Sequence, residues 1–477
     1  MYIRSLVVFL IVLVSSGINL SAEESWSETK LIRRFEDASI PDSEINLAEG
    51  ALAIAKSVYS HIDINEYLAT IDQLAKDIRV KLPAGSPPEK IIQAINRYLY
   101  ETKGVQAVSM DTDMEEYQSF LLSKVVDSMK GNCLGLSTLY WTIAERLELP
   151  LQAIIIPRHV FLRHDQRNIE ATSNGRELSQ EDYLEKTEKL KESDIPKYSI
   201  GQEVRFMSLN KKQFMGLIIY NRGVNYNKDG ETELALHDFT KALKMNPENI
   251  EAYKSRAGIY LKKDAFTQAL DDFTKALALE PDCPSTLYGI GTTYFKMERL
   301  KEAFDYMNKT IDLAPDYAEA YHNRGVIYST RKDYRKALTD FSQTIALKAD
   351  YAPAYFNRGL VWFNLAEQED EPGFLSKSLD DYSRAITLDS GYVEAYNNRG
   401  ITYCKQREFE YAVNDFLDVI NRSPDYPDAY RNLGIAYFEL ARYDKAISYL
   451  KEYLTKRANH TQEIERFIKE AHRRLDK

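Results

Sequence analysis

A chain of 477 residues that is 44% hydrophobic and 28% charged carries enough apolar material for two or three buried cores, which excludes a low-complexity or disordered protein. Its formal charge of −10, with no basic stripe, argues against a nucleic-acid binder, which must neutralise phosphates. Its three cysteines, Cys133, Cys283 and Cys404, are too few for a disulfide framework and read as free thiols.

Residues 1–22 read as a secretory signal. Arg4 supplies positive charge, Leu6 to Val14 form an unbroken apolar run, and "LSA" places small residues before Glu23. The run is short for a membrane span, with an uncleaved anchor as the alternative. No later stretch is apolar enough to cross a bilayer. The expectation is an exported protein, periplasmic or secreted, with no transmembrane span once the signal is removed. A polar lead-in follows at 23–44.

Residues 45–205 read as one domain. "INEYLATIDQLAKDI" puts Ile64, Tyr67, Leu68, Ile71, Leu74, Ala75 and Ile78 on one helical stripe, and helices are expected also near 45–60, 88–102 (after Pro87-Pro88) and 115–128. Gly131-Asn132 then breaks the chain. Beyond it Leu136, Leu139, Tyr140, Ile143 and Leu147 form another stripe, so Cys133 falls at a helix amino terminus. "LQAIIIP", "HVFLR" and "NIEAT" follow as strands, the last two separated by the polar loop "HDQR". Helices followed by strands make an α+β domain.

A helix start offers free N–H groups and a dipole that favour a thiolate. The same N–H groups can hold a developing oxyanion. Such a sulfur still needs a base, and the base an orienting acceptor. His159 opens the second strand. If the hairpin loop has an even number of residues, Glu170 shares its sheet face, one diagonal step away. Asn168 is a second choice of orienter, and His164, near the loop tip, is a poorer base. The alternative is a buried, inert cysteine that happens to begin a helix. Seven scattered histidines give no metal-ligand spacing beyond "HVFLRH", and no phosphate-cradling glycine loop occurs, so neither metal nor cofactor is expected.

A linker is expected at 206–215. From Gly216 to residue 460 a 34-residue period runs through seven copies. A small residue recurs as Gly223, Ala257, Gly291, Gly325, Gly359, Gly400 and Gly434, followed three residues later by an aromatic such as Tyr226 or Trp362. Each copy is a helical hairpin whose small residue lets two helices approach, and hairpins must stack to bury their apolar faces. The interval from Gly359 to Gly400 is 41, which reads as a lengthened inter-helix loop near "AEQEDEPGFLSK". The repeated "NRG" reads as a structural feature of the unit. The segment 461–477 reads as a polar-faced capping helix. The concave face of the array is expected to carry Tyr220, Tyr288, Phe295, Phe356, Phe363 and Phe438, with Lys254 and Arg431 as its main cations. That face suits an apolar or aromatic peptide, unless the rings pack between neighbouring helices.

The array resembles the tetratricopeptide repeat. "GNCLGLSTLYWTIAERLELPLQAIIIPRHVFLRH" and "NIEATSNGRELS", with their helical lead-in, resemble the transglutaminase-like superfamily, most nearly its SirB-type bacterial branch. The resemblance implies an α+β papain/transglutaminase-like domain followed by an all-α solenoid. It implies a triad in which Cys133 and His159 match the first two positions and Glu170 stands where the family usually has Asp, "EAT" replacing "DPT". Many relatives of this branch lack the cysteine, so fold alone does not imply chemistry. Two functions follow. One is an exported cysteine hydrolase or acyltransferase acting on amide or peptide bonds, with the repeats recruiting a protein. The other is a non-catalytic repeat scaffold carrying an inactive domain.

Overall fold

The computed structural model describes residues 40–108, 119–157, 159–185, 206–369, 371–456 and 461–476. The signal expected at 1–22 lies outside them. No helix among the described residues is long and apolar enough to cross a membrane. The chain divides into two compact units, one ending at Thr286 and the other beginning at Leu287.

In the first unit, helix α1 (Leu47–Val58) is capped by Asn46, whose side chain accepts from the Glu49 N–H. Its run of Ala, Gly and Leu is almost wholly buried, so it serves as a central rod rather than an amphipathic one. Helix α2 (Ile64–Arg79) is capped by Asp63 and buries Ile64, Ile71, Leu74, Ala75 and Ile78, as its stripe predicts. Helix α3 (Pro88–Asn96) starts on a proline, which costs nothing where the N–H has no helical partner. It continues through a wider turn to Thr102. The helix expected at 115–128 begins, among the described residues, only at Leu122. This α4 (Leu122–Ser128) follows a turn at 119–121 and ends in the left-handed Met129. Strand β1 (Gln106–Ala107) pairs in parallel with β2 (Lys130–Gly131), which leads directly into α5 (Cys133–Arg146).

Five antiparallel strands follow: β3 (Gln152–Ile156), β4 (His159–His164), β5 (Arg167–Glu170), β6 (Arg176–Glu177) and β7 (Met207–Leu209), in the order β6-β5-β4-β3-β7. The turn between β4 and β5 holds only Asp165 and Gln166, because His164 already pairs with Arg167. The expected "HDQR" loop is therefore two residues long.

The expected linker at 206–215 is a correction. Met207–Leu209 pairs with β3 as an edge strand. Helix α6 (Lys211–Lys228) then begins at Lys211 rather than near 216, fixed by a capping box between Asn210 and Gln213. Phe214, Met215, Leu217, Ile218 and Ile219 of α6 lie in the same core as α1 and α5, and Phe214 meets Trp141 edge-on at 5.2 Å. Removing these side chains from water explains why the array cannot be set off from the domain by a free tether. With α7 (Thr232–Met245), α6 forms the first hairpin, and α8 (Ile250–Lys262) and α9 (Phe266–Leu279) form the second.

Helix α10 (Pro284–Lys296) contains the division and pairs with α11 (Leu300–Leu313). The second unit continues with α12 (Ala318–Thr330) and α13 (Tyr334–Leu347), then α14 (Ala352–Glu369) and α15 (Pro372–Leu388). Next come α16 (Val393–Lys405) with α17 (Phe409–Arg422), then α18 (Pro427–Glu439) with α19 (Tyr443–Lys456), and last the lone α20 (Thr461–Leu475). A Cβ on Gly325 would stand 2.8 Å from the Phe341 ring, which is why a small residue recurs at this crossing. The lengthened loop expected in the fifth copy is also corrected. Helix α14 has 18 residues and α15 has 17, with a short connection, so the extra residues prolong both helices. "LAEQE" is strongly helix-forming and Pro372 opens α15 at its first position.

The recurring arginine of "NRG" makes a two-pronged bond to an aspartate of the second helix: Arg222 to Asp238, Arg256 to Asp272, Arg324 to Asp340, Arg358 to Asp381 and Arg399 to Asp415. Its remaining nitrogen reaches back to the preceding hairpin, as Arg256 does to Thr240 and Arg324 to Asn308. Arg222 has no preceding hairpin and bonds Ser57 of α1 instead. In the first unit, α1 thus stands where an earlier repeat would supply its second helix.

Candidate active site

Asn132 is the residue that starts α5. Its side chain accepts from the N–H groups of Leu134 and Gly135 at 3.0 Å each, and its carbonyl takes the Leu136 N–H. The N–H of Cys133 donates to none of the described residues. Close packing fixes this corner. A Cβ on Gly135 would lie 2.2 Å from the Ser119 carbonyl oxygen, so only glycine lets α5 approach that strand of backbone.

Cys133 is half-buried and within hydrogen-bonding reach of the His159 ring. His159 Nε2 lies 2.6 Å from Glu170 Oε2, which leaves Nδ1 as the nitrogen available to the sulfur. The register accounts for this contact. Leu162 faces Ile169 across β4 and β5, so Glu170 falls opposite Phe161, two residues from His159 on the same face. The two-residue turn meets the even-loop condition.

The electrostatics follow the contacts. Burial disfavours the His159 imidazolium, but hydrogen bonds to Cys133 and Glu170, together with their charges, outweigh it and raise its pKa to about 9. Burial would also raise Glu170, which is wholly shielded from solvent, yet bonds from His159 and then Thr172 hold it below the usual carboxylate range. The His159 side chain keeps 20% of its surface, so the pair is reachable from outside.

His164 and Asn168 lie elsewhere. His164 is buried at the end of β4, beside the two-residue turn, with Nδ1 2.8 Å from the Pro150 carbonyl. Asn168 accepts from Arg163 and donates to Leu178. Sequence reasoning missed the supports of Glu170. Its Oε1 accepts from the Thr172 N–H at 3.0 Å and from the Thr172 hydroxyl at 2.5 Å. Tyr100 donates to the Ala171 carbonyl, Tyr140 to Asn96, and Asn96 to the Gly175 carbonyl, tying the turn after β5 to α3 and α5. Gly175 has φ of 69° and no room for a Cβ beside Asn96. Tyr140 was legible as core from its stripe on α5, but the hydroxyl partners of Tyr100 and Tyr140 were not.

Residues 65–201 match the profile of the transglutaminase-like superfamily, and residues 220–279, 282–350 and 397–461 match tetratricopeptide-repeat profiles. The chain carries a transglutaminase-like domain followed by tetratricopeptide repeats. Among curated relatives, a UPF0162 protein of Xylella fastidiosa is 23% identical over 229 residues, 47% of this chain and 80% of the relative. The UPF0162 protein PA3419 of Pseudomonas aeruginosa is 25% identical over 46% of this chain and 78% of its own length. Among solved structures, YrrB, described as a repeat protein with an unusual peptide-binding site, is 26% identical over 40% of this chain and 95% of YrrB, with a TM-score of 0.32. PilF of Pseudomonas aeruginosa is 17% identical over 46% of this chain and 97% of its own, with a TM-score of 0.41.

Within the repeats, the expected groove residues are engaged to different degrees. Tyr220 packs beside Phe239 and its hydroxyl lies 3.4 Å from Ser255. Tyr288 stacks on Tyr317 at 4.9 Å, and Phe356 leans on Tyr382 and Tyr392. Phe295 and Phe363 are half-buried. Phe438 is a correction: it is buried edge-on against Phe467 of α20, because the capping helix covers it. Lys254 is paired with Glu251 at 2.8 Å, and Arg431 with Asp428 at 3.7 Å, so neither is an unopposed cation. The repeats make the chain a scaffold suited to protein partners.

Proposed function

We propose that the transglutaminase-like domain is a thiol enzyme that attacks an amide or peptide carbonyl, and that the repeats bring it a protein substrate. Cys133 is the nucleophile, His159 the general base and then acid, and Glu170 the group that orients the imidazole. The observation that carries this reading is the placement of His159 between Cys133 and a buried, ionised Glu170. Nδ1 takes the thiol proton, the sulfur adds to the carbonyl carbon, and the Cys133 N–H is positioned to receive the developing oxyanion. The imidazolium then protonates the leaving amine. Water or a second amine resolves the acyl-enzyme, giving hydrolysis or transfer. Aromatic and apolar side chains of the first helices, such as Phe356 and Phe363, support a groove for an apolar peptide. The exported location rests on the sequence of residues 1–22 alone.

Alkylation by iodoacetamide, followed by peptide mass spectrometry, tests the reading. At pH 6.5 Cys133 should react on the order of a hundredfold faster than Cys404, whose thiol burial pushes up to about 11. His159→Ala should abolish most of that advantage. Equal rates at Cys133 in the two proteins would leave the scaffold reading in its place.

A further inference from the structure

We propose that Thr172 is a positioning residue whose hydroxyl clamps Glu170, allowing the longer carboxylate to hold His159 in register with Cys133. This deepens the thiol-enzyme reading and rests on it.

A glutamate has one more side-chain torsion than an aspartate, so a carboxylate on this strand can reach the imidazole in several ways or miss it. The structure removes that freedom. Glu170 caps the short helical turn Ala171–Ser173, its Oε1 accepting both the backbone N–H and the hydroxyl of Thr172. Only Oε2 is left to face His159 Nε2, at 2.6 Å. The extra methylene is thus taken up in a curl back onto the chain two residues ahead. Freezing such a side chain opposes its rotamer entropy, and two donors on one oxygen offset that cost.

The turn that carries Thr172 is itself anchored. The Gly175 N–H donates to the Glu170 carbonyl at 2.9 Å, and Tyr100 donates to the Ala171 carbonyl at 2.8 Å. Thr172 therefore cannot drift without disturbing the contact to Tyr100, in the wider turn that continues α3. Among the described residues the titratable groups facing Glu170 are His159, Tyr100 and Tyr183. Burial first, and the Glu170 charge after it, push both tyrosines up, so they stay neutral over the range in which the site would work. Tyr183 also packs its ring 6.1 Å from that of His159 and stacks on Phe161. Glu170 itself is wholly shielded from solvent.

The test is the pH profile of Cys133 alkylation by iodoacetamide in the full chain bearing Thr172→Val or Thr172→Ser. Valine keeps the branched shape and the backbone N–H but removes the hydroxyl. The rate at pH 7 should fall about tenfold in Thr172→Val, the scale of one hydrogen bond to a charged group, and the profile should move toward that of His159→Ala. Thr172→Ser should stay within about twofold of the parent, because its hydroxyl can make the same bond. A parent-like rate and profile in Thr172→Val, or a serine variant as slow as the valine one, would overturn the clamp while leaving the catalytic reading intact. If His159→Ala alkylates as fast as the parent, the catalytic reading and the clamp both fall. A thermal melt of each variant identifies any loss caused by unfolding; a folded serine variant alone still decides against the clamp if it is slow.

Discussion

His159 is the residue on which the site turns, and its ionisation couples the chemistry to stability. Its folded pKa, near 9, lies above the ordinary 6.5, so its proton is held more tightly in the native state. The stabilisation it gives is complete below about pH 6.5 and is lost as pH rises through about 9. Glu170 acts in the opposite sense: its depressed pKa gives stability present above the ordinary carboxylate range and lost as pH falls through its folded value. Urea unfolding of the parent should therefore show a midpoint that declines between pH 6.5 and 9.5. In His159→Gln that decline should be shallower. An identical decline in both would mean that other groups govern the alkaline limb.

Among the elements, the repeat hairpins show how one packing problem has two solutions. Five copies place an Arg–Asp pair between their helices, but the third holds Ile290 and Tyr306 in those positions and the seventh Leu433 and Tyr449. A buried ion pair is weak evidence of stability, whereas breaking one is expensive because a charge is left uncompensated. Arg324→Ala should therefore lower stability by about 3 kcal/mol, stranding Asp340. The double change Arg324→Ile with Asp340→Tyr should cost less than about 1 kcal/mol, since a well-packed apolar pair can replace an ionic one. Calorimetry of the two variants checks this, and a double variant as unstable as the single one would show that the link to Asn308 carries the stabilisation.

In the molecule as a whole, what was legible in the sequence followed from periodicity. The 34-residue repeat, the stripe on α2 and the cysteine at a helix start could all be read from spacing, and the parity of β4 and β5 brought Glu170 to the face of His159. Strands β6 and β7 are two and three residues long, too short to show alternation, and so escaped notice. The seeming linker at 206–215 hid an edge strand and a helix start because Phe214 and Met215 become core only when α1 and α5 surround them. The extra length of the fifth repeat was visible, but its placement in helices depended on propensities that a loop reading overlooked. Thr172 could not be found from spacing at all, since its partner is a side chain two residues away.

Any thiol chemistry in this protein depends on the Cys133 sulfur, the His159 imidazole and the Glu170 carboxylate acting together. The most direct measurement is an NMR titration of the His159 ring, assigned with His159→Gln, in the parent and in Cys133→Ala. The midpoint should lie near 9 in the parent and fall clearly when the sulfur is removed. A midpoint near the ordinary 6.5 that does not respond to Cys133→Ala would contradict it.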